Sequence, residues 1–215
     1  ENINDINWAS PTDIVSTAKK IKSKDRIAIV YAVGSIDGIS SNGIISDKLV
    51  RTLKEVQDDE SVKGVVLRVN SPGGSAFGSE QIWHAVEQLK QTKPVAVSMG
   101  DYAASGGYYL SCGANRIFAN PATLTGSIGI FGLVPNAQKL LSEKIGLSFD
   151  EVKTNKYGAF PTIERPRTND EKQKMQTYIN RGYDLFIKRC AQGRKMSVDQ
   201  IKNIAEGRVW SGKDA

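Results

Sequence analysis

Residues 64–75 read Gly64-Val65-Val66-Leu67-Arg68-Val69-Asn70-Ser71-Pro72-Gly73-Gly74-Ser75. A β-branched apolar run closed by Pro and Gly predicts a buried strand ending in a tight loop. Directly after it Ile82, Trp83, Val86 and Leu89 recur at helical spacing. Strand, glycine loop and helix in that order form the repeating unit of an α/β domain, and the unit recurs on either side. Arg26–Val33 is another such run, ending at Gly34, and Leu49, Val50, Leu53 and Val56 predict a helix within residues 44–56 with Ser46 as its N-cap. Pro94–Met99 predicts a third strand, followed by a helix after Ser105 and a strand near residues 116–119. This alternation implies a parallel sheet with right-handed crossovers. Ligands bind such sheets in the loops beyond the carboxyl ends of the strands.

The last third reads as helical. Thr168 with Glu171 forms a capping box ahead of Met175, Tyr178, Ile179, Leu185 and Phe186 on one face, and Ser197 is a good N-cap for a shorter helix reaching Ala205. Residues 153–167, with Pro161 and Pro166, show no periodicity and read as an exposed segment. Residues 1–25 read as a linker or helical lead-in and residues 26–215 as one domain. A chain of 215 residues with 40% hydrophobic content can bury one substantial core. The pattern is already under way at Glu1 and stops at Trp210-Ser211-Gly212-Lys213-Asp214-Ala215 as a new turn begins, as expected of a piece truncated at both ends.

The net charge of +6 is scattered rather than clustered with aromatics, which argues against nucleic-acid binding. No stretch approaches the roughly 20 apolar residues of a membrane span. Cys112 and Cys190, the only cysteines, match no zinc or redox spacing and read as buried free thiols. One histidine and no tight acidic cluster leave few metal ligand sets, so neither metal nor cofactor is expected. Gly126-Ser127-Ile128-Gly129 is a small-residue turn without the lysine of a phosphate-binding loop.

Chemistry concentrates in Gly100-Asp101-Tyr102-Ala103-Ala104-Ser105-Gly106-Gly107-Tyr108-Tyr109. A serine between a strand and a helix has its hydroxyl near free backbone N–H groups and the positive end of the helix dipole. Local chemistry leaves two readings open: a nucleophile, or a serine that merely caps its helix. The glycines of residues 73–74 end a neighbouring strand, and two such loops together can bind an oxyanion. His84 points away from the apolar face of its helix, which argues against a Ser-His-Asp triad. A lysine with a lowered pKa is the remaining common base, and Lys153 and Lys156 lie in the irregular segment.

Three motifs in order, Asn70-Ser71-Pro72-Gly73-Gly74, then Ala103 to Tyr109, then Ala119-Asn120-Pro121 through Gly129, closely resemble the signal peptide peptidase A (protease IV) family. The resemblance runs from about Arg26 to the end and includes Gly207-Arg208-Val209-Trp210-Ser211-Gly212. It implies a Clp-protease/crotonase-like fold, a Ser/Lys dyad and cleavage of remnant signal peptides and other hydrophobic peptides at the membrane. It assigns Ser105 as nucleophile and the backbone N–H groups of Gly74 and Gly106 as oxyanion donors. In short family members the lysine precedes a proline and the capping box, a position that falls here on Gly158. Long members carry two tandem halves, the serine in the second and the lysine in the first. The chain therefore reads as a carboxyl-terminal half whose partner is the amino-terminal half of the same protein. A two-residue shift would instead make Lys156 the base. The resemblance further implies a ring-like homo-oligomer on the extracytoplasmic side of the inner membrane, anchored by a segment outside this chain. Two other readings stand beside it: a non-catalytic assembly half-domain and a crotonase-type acyl-CoA enzyme.

Overall fold

The computed structural model describes residues 24–38 and 43–215, so the expected lead-in lies outside the described residues but for its last two. Strand β1 (Arg26–Val33), helix α1 (Ser46–Asp58), strand β2 (Val62–Ser71), helix α2 (Ala76–Lys90) and strand β3 (Val95–Ala104) follow the predicted alternation. A four-residue helix, α3 (Gly106–Tyr109), and strands β4 (Arg116–Phe118) and β5 (Leu124–Gly126) come next. After a π-helical turn at Lys139–Lys144, the chain ends in α4 (Asn169–Arg194), α5 (Val198–Ile204) and strand β6 (Val209–Ser211).

The sheet has six strands in the order β1-β2-β3-β5-β6, with β4 paired to the first half of β3. All pairings are parallel except β5 with β6, so the α/β reading with a helical carboxyl-terminal part holds. Leu67 sits between Val30 and Val97 across three strands, and Leu67, Val69 and Val97 are fully buried beneath α1 and α2. Fully burying such side chains stabilises the fold by about 1.5–3 kcal/mol each. The opposite face of β1 shows Ile27, Ile29, Tyr31 and Val33 about half or more exposed.

Strand β3 outruns the expected Pro94–Met99 by five residues, because Gly100 and Asp101 are not a break. The pairing passes from Val69↔Met99 to Ser71↔Ala103, so β3 carries two extra residues there. Asn70 closes the gap by accepting the Tyr102 N–H at 3.0 Å, and a Cβ on Gly100 would lie 2.9 Å from its Cγ. Such a bulge bends and twists a strand. The extended β3 delivers the chain straight to Ser105.

Two expectations about helices are corrected. Ser46 is the first residue of α1 rather than its N-cap, since Ile45 occupies that position without a side-chain bond. Asp37 caps the helix instead, accepting the Ser46 N–H at 2.8 Å and hydroxyl at 2.7 Å. On α4 the buried apolar residues are Phe186, Ile187, Cys190 and Ala191, whereas Tyr178 and Leu185 are exposed. Only the second half of that helix packs on the second core cluster, with Trp83, Tyr109 and Cys112. The Thr168–Glu171 capping box forms as expected, and Ser197 caps α5 as expected, with Gln200 completing a second capping box. Cys112 and Cys190 are free and buried.

Candidate active site

Ser105 sits between β3 and α3 at φ 52°, ψ −120°, a backbone conformation that disfavours any residue with a Cβ. Two hydrogen bonds impose it. The Ser105 N–H donates to the Gly126 carbonyl at 2.9 Å, and its carbonyl accepts the Tyr109 N–H at 2.9 Å. The hydroxyl does not cap α3, and it has no hydrogen-bond partner among the described residues. The capping alternative therefore fails.

The glycine loop after β2 lies against this elbow. A Cβ on Gly73 (φ 103°) would stand 2.8 Å from the Ser105 Cβ and 2.6 Å from the Gly106 nitrogen. A Cβ on Gly107 would stand 2.5 Å from the Ser71 carbonyl oxygen. Only glycine allows the two loops to approach this closely.

The direction of two backbone N–H groups follows from their neighbours' bonds. Gly73 gives its carbonyl to the Ile36 N–H at 3.0 Å, so the Gly74 N–H, across the same trans peptide, points away from Ile36. The Ser105 carbonyl points down α3 to Tyr109, so the Gly106 N–H leaves the helix at its open end. Gly74, Gly106 and Ser105 line one common cleft.

Two adjoining clefts open at Ser105. The larger, about 800 Å³, has a polar side formed by Ser127, Gln176, Asn180 and Glu206. The smaller, about 430 Å³, is apolar, with Ile130, Met175, Ile179 and Phe186 as walls and Tyr109 at its base. Ser127 carries the same signature as Ser105: a positive φ of 48°, a backbone N–H held by the Arg208 carbonyl at 2.7 Å, and no side-chain hydrogen bond among the described residues. In the sequence it stands only as part of a small-residue turn. The signal available in the sequence was a polar residue between glycines just past a short β-branched segment.

The candidate bases lie elsewhere. Among the described residues no lysine lines either cleft with Ser105. Lys156 lines a separate cleft with Tyr157, Arg165 and Thr168, is 71% exposed, and pairs with Asp170 at 2.8 Å. That hydrogen bond holds its ammonium above the ordinary range, the opposite of what a general base needs. Lys153 is paired with Glu151. Gly158 is exposed, with its N–H donated to Asn155. His84 is exposed on α2, as read.

The parallel sheet and the serine elbow between two glycine loops form a Clp-protease-like fold, and residues 13–125 match the Clp protease family. Residues 87–215 match peptidase family S49, and the chain belongs to that family. It is 38% identical over 199 residues to the chloroplastic serine protease SPPA of Arabidopsis thaliana, covering 89% of this chain and 29% of the relative. It is 44% identical over 197 residues to Protease 4 of Haemophilus influenzae (89% and 31%) and 43% identical over 192 residues to Protease 4 of Salmonella typhi (88% and 31%). The chain thus spans about three-tenths of the length of these relatives.

Proposed function

We propose that this chain is the serine-bearing half of a Ser/Lys peptidase that degrades remnant signal peptides and other hydrophobic peptides at the inner membrane. The observation that carries the reading is the hydroxyl of Ser105, unpartnered among the described residues and held by the backbone at the mouth of an apolar cleft. A neutral lysine amine takes the Ser105 proton as Oγ attacks the peptide carbonyl. The N–H groups of Gly74 and Gly106 receive the developing oxyanion, an arrangement in which losing one donor typically costs about 10²–10³ in rate. The ammonium returns its proton to the leaving amine, and water then releases the acyl group from Ser105.

The lysine comes from the other half of the full-length protein. Support for this is the absence of any lysine from the lining of the Ser105 clefts among the described residues, together with Gly158 at the family's lysine position. Ile130, Phe131 and Ile179 give an entering amine an apolar wall, which lowers its pKa, and the free hydroxyl of Ser127 can accept its hydrogen bond. The membrane anchor and the ring-like assembly belong to the same proposal. Among the described residues no helix is long and apolar enough to cross a membrane.

A serine-directed acylating probe applied to full-length protein should form an adduct at Ser105, located by mass spectrometry and lost in Ser105→Ala. Full-length protein that never labels there refutes the peptidase reading. Turnover of a peptide by residues 1–215 alone refutes the borrowed lysine.

A further inference from the structure

Glu80 lines neither cleft, yet it bonds to two of the elements that enclose the apolar one. Its Oε2 accepts the Tyr109 hydroxyl at 2.5 Å, and its Oε1 accepts Arg189 Nη2 at 2.5 Å, with Arg189 Nε 3.3 Å from Oε2. Tyr109 ends α3, one turn beyond Ser105, and its ring forms the base of the cleft, tilted 33° against Phe186 with centroids 4.4 Å apart. Arg189 lies one turn beyond Phe186 on α4, the helix whose Met175, Ile179 and Phe186 make the cleft wall. The guanidinium also stacks 3.9 Å over Trp83, one turn along α2 from Glu80.

We infer that Glu80 is a positioning residue that sets the depth of the apolar cleft beside Ser105, and thereby the size of side chain the peptidase accepts. The inference rests on the peptidase reading above. Besides the segment 129–134, three helices line the cleft: the start of α2 through Ala76 and Ser79, α3 through Tyr109, and α4. One carboxylate on α2 holds the other two. It occupies the phenol oxygen of Tyr109, so the ring presents carbon rather than a hydroxyl to the cleft. It also ties α4 down near Phe186, adding a polar tie to the packing of Phe186, Ile187 and Cys190 on the second core cluster. Burial and the bond to Glu80 hold the Tyr109 phenol far above its ordinary pKa, so it remains the donor. Glu80 and Arg189 are 29% and 27% exposed, so solvent only partly screens the pair, which with Tyr109 and Trp83 forms one network. Its effect is local: without the charge, Arg189 and Tyr109 lose a shared partner, and the ring and helix can separate.

The test uses full-length protein and peptides that differ only in an Ala, Leu or Phe before the scissile bond. Glu80→Gln should raise the ratio of kcat/KM for Phe over Ala by about tenfold, the scale of a small change in an apolar pocket. Tyr109→Phe keeps the ring and the Glu80–Arg189 pair, and should move the same ratio in the same direction by less. Serine-probe labelling of both variants establishes that Ser105 is intact. An equal loss of rate on all three peptides, or an unchanged ratio in both variants, overturns the role of Glu80 while leaving the peptidase reading in place. A wild-type protein that cleaves none of the peptides and takes no probe overturns both.

Discussion

Replacing Gly73 with alanine should damage both the fold and the site. The added methyl would sit at φ 103°, 2.6 Å from the Gly106 nitrogen, 2.8 Å from the Ser105 Cβ and 3.0 Å from the Ala104 carbonyl oxygen. None of these atoms can rotate out of the way. The backbone strain costs about 1–3 kcal/mol, and overpacking costs about 1–3 kcal/mol more. With a urea slope of about 2 kcal/mol/M, the unfolding midpoint should fall by about 1–3 M, read from the fluorescence of buried Trp83. Relieving a contact this short moves the Gly106 N–H by about half an ångström or more, and misplacement on the 1 Å scale costs about 10²-fold in rate. Acylation of Ser105 in folded, full-length protein should therefore drop by about that factor. Gly146→Ala is the control: its φ is 78°, but no atom lies within 4 Å of the added methyl, so it should lose stability and keep its labelling rate. A Gly73→Ala protein with the wild-type midpoint and labelling rate would refute the proposed contact between the two loops.

Three other outcomes are expected. Ser105→Gly should be more stable than Ser105→Ala by about 1 kcal/mol, because glycine relieves the strained elbow; equal urea midpoints for these two inactive variants would remove the strain argument. Arg165 and the Thr168 N–H hold the Glu171 carboxyl down at about 2, below its ordinary value near 4.5. Its stabilisation is therefore fully present above about pH 4.5 and is lost as pH falls toward about 2, so Glu171→Gln should lose less stability than wild type between about pH 6 and pH 3, and parallel losses would count against the pairing. A hydrogen bond with the Cys112 thiol, together with burial, pushes the Cys190 thiol up, and both cysteines are inaccessible. An aromatic disulfide reagent should find no thiol in the native protein and both after denaturation; rapid native reaction would contradict the packing of α4.

The alternation of strands and helices was legible because β1, β2 and the first half of β3 are largely apolar runs, although β1, expected to be buried, exposes one face. Ser105 and its two glycine loops were legible because tight turns need particular residues. What escaped depends on partners remote in sequence. The bulge in β3 looked like a strand end because Asn70, which spans it, belongs to another strand. Ser46 looked like a cap because Asp37 reaches α1 from across a turn. The apolar stripe of α4 suggested burial along the whole helix, yet Met175 and Ile179 line a cleft while Phe186 and Cys190 enter the core. Hydrophobic spacing marks a face without saying whether a core or a substrate covers it. Ser127 was missed for a similar reason, since Arg208, far along the chain, holds its backbone.

The hydrogen bond from Ser105 to Gly126 bears on the order in which the elbow is assembled. Strand β5, which provides that carbonyl, is itself held by β6, with Leu124 opposite Ser211, while Gly207 and Arg208 bond to Ile128 and Ser127. The nucleophile's geometry thus leans on residues synthesised about a hundred positions later. At a synthesis rate of about 5–20 residues per second, some 5–20 s separate the appearance of Ser105 from that of its last support. During that interval the first three strands can already pair while the elbow is unfinished. The conformation of the elbow is therefore completed only once the last strand has been made and has paired.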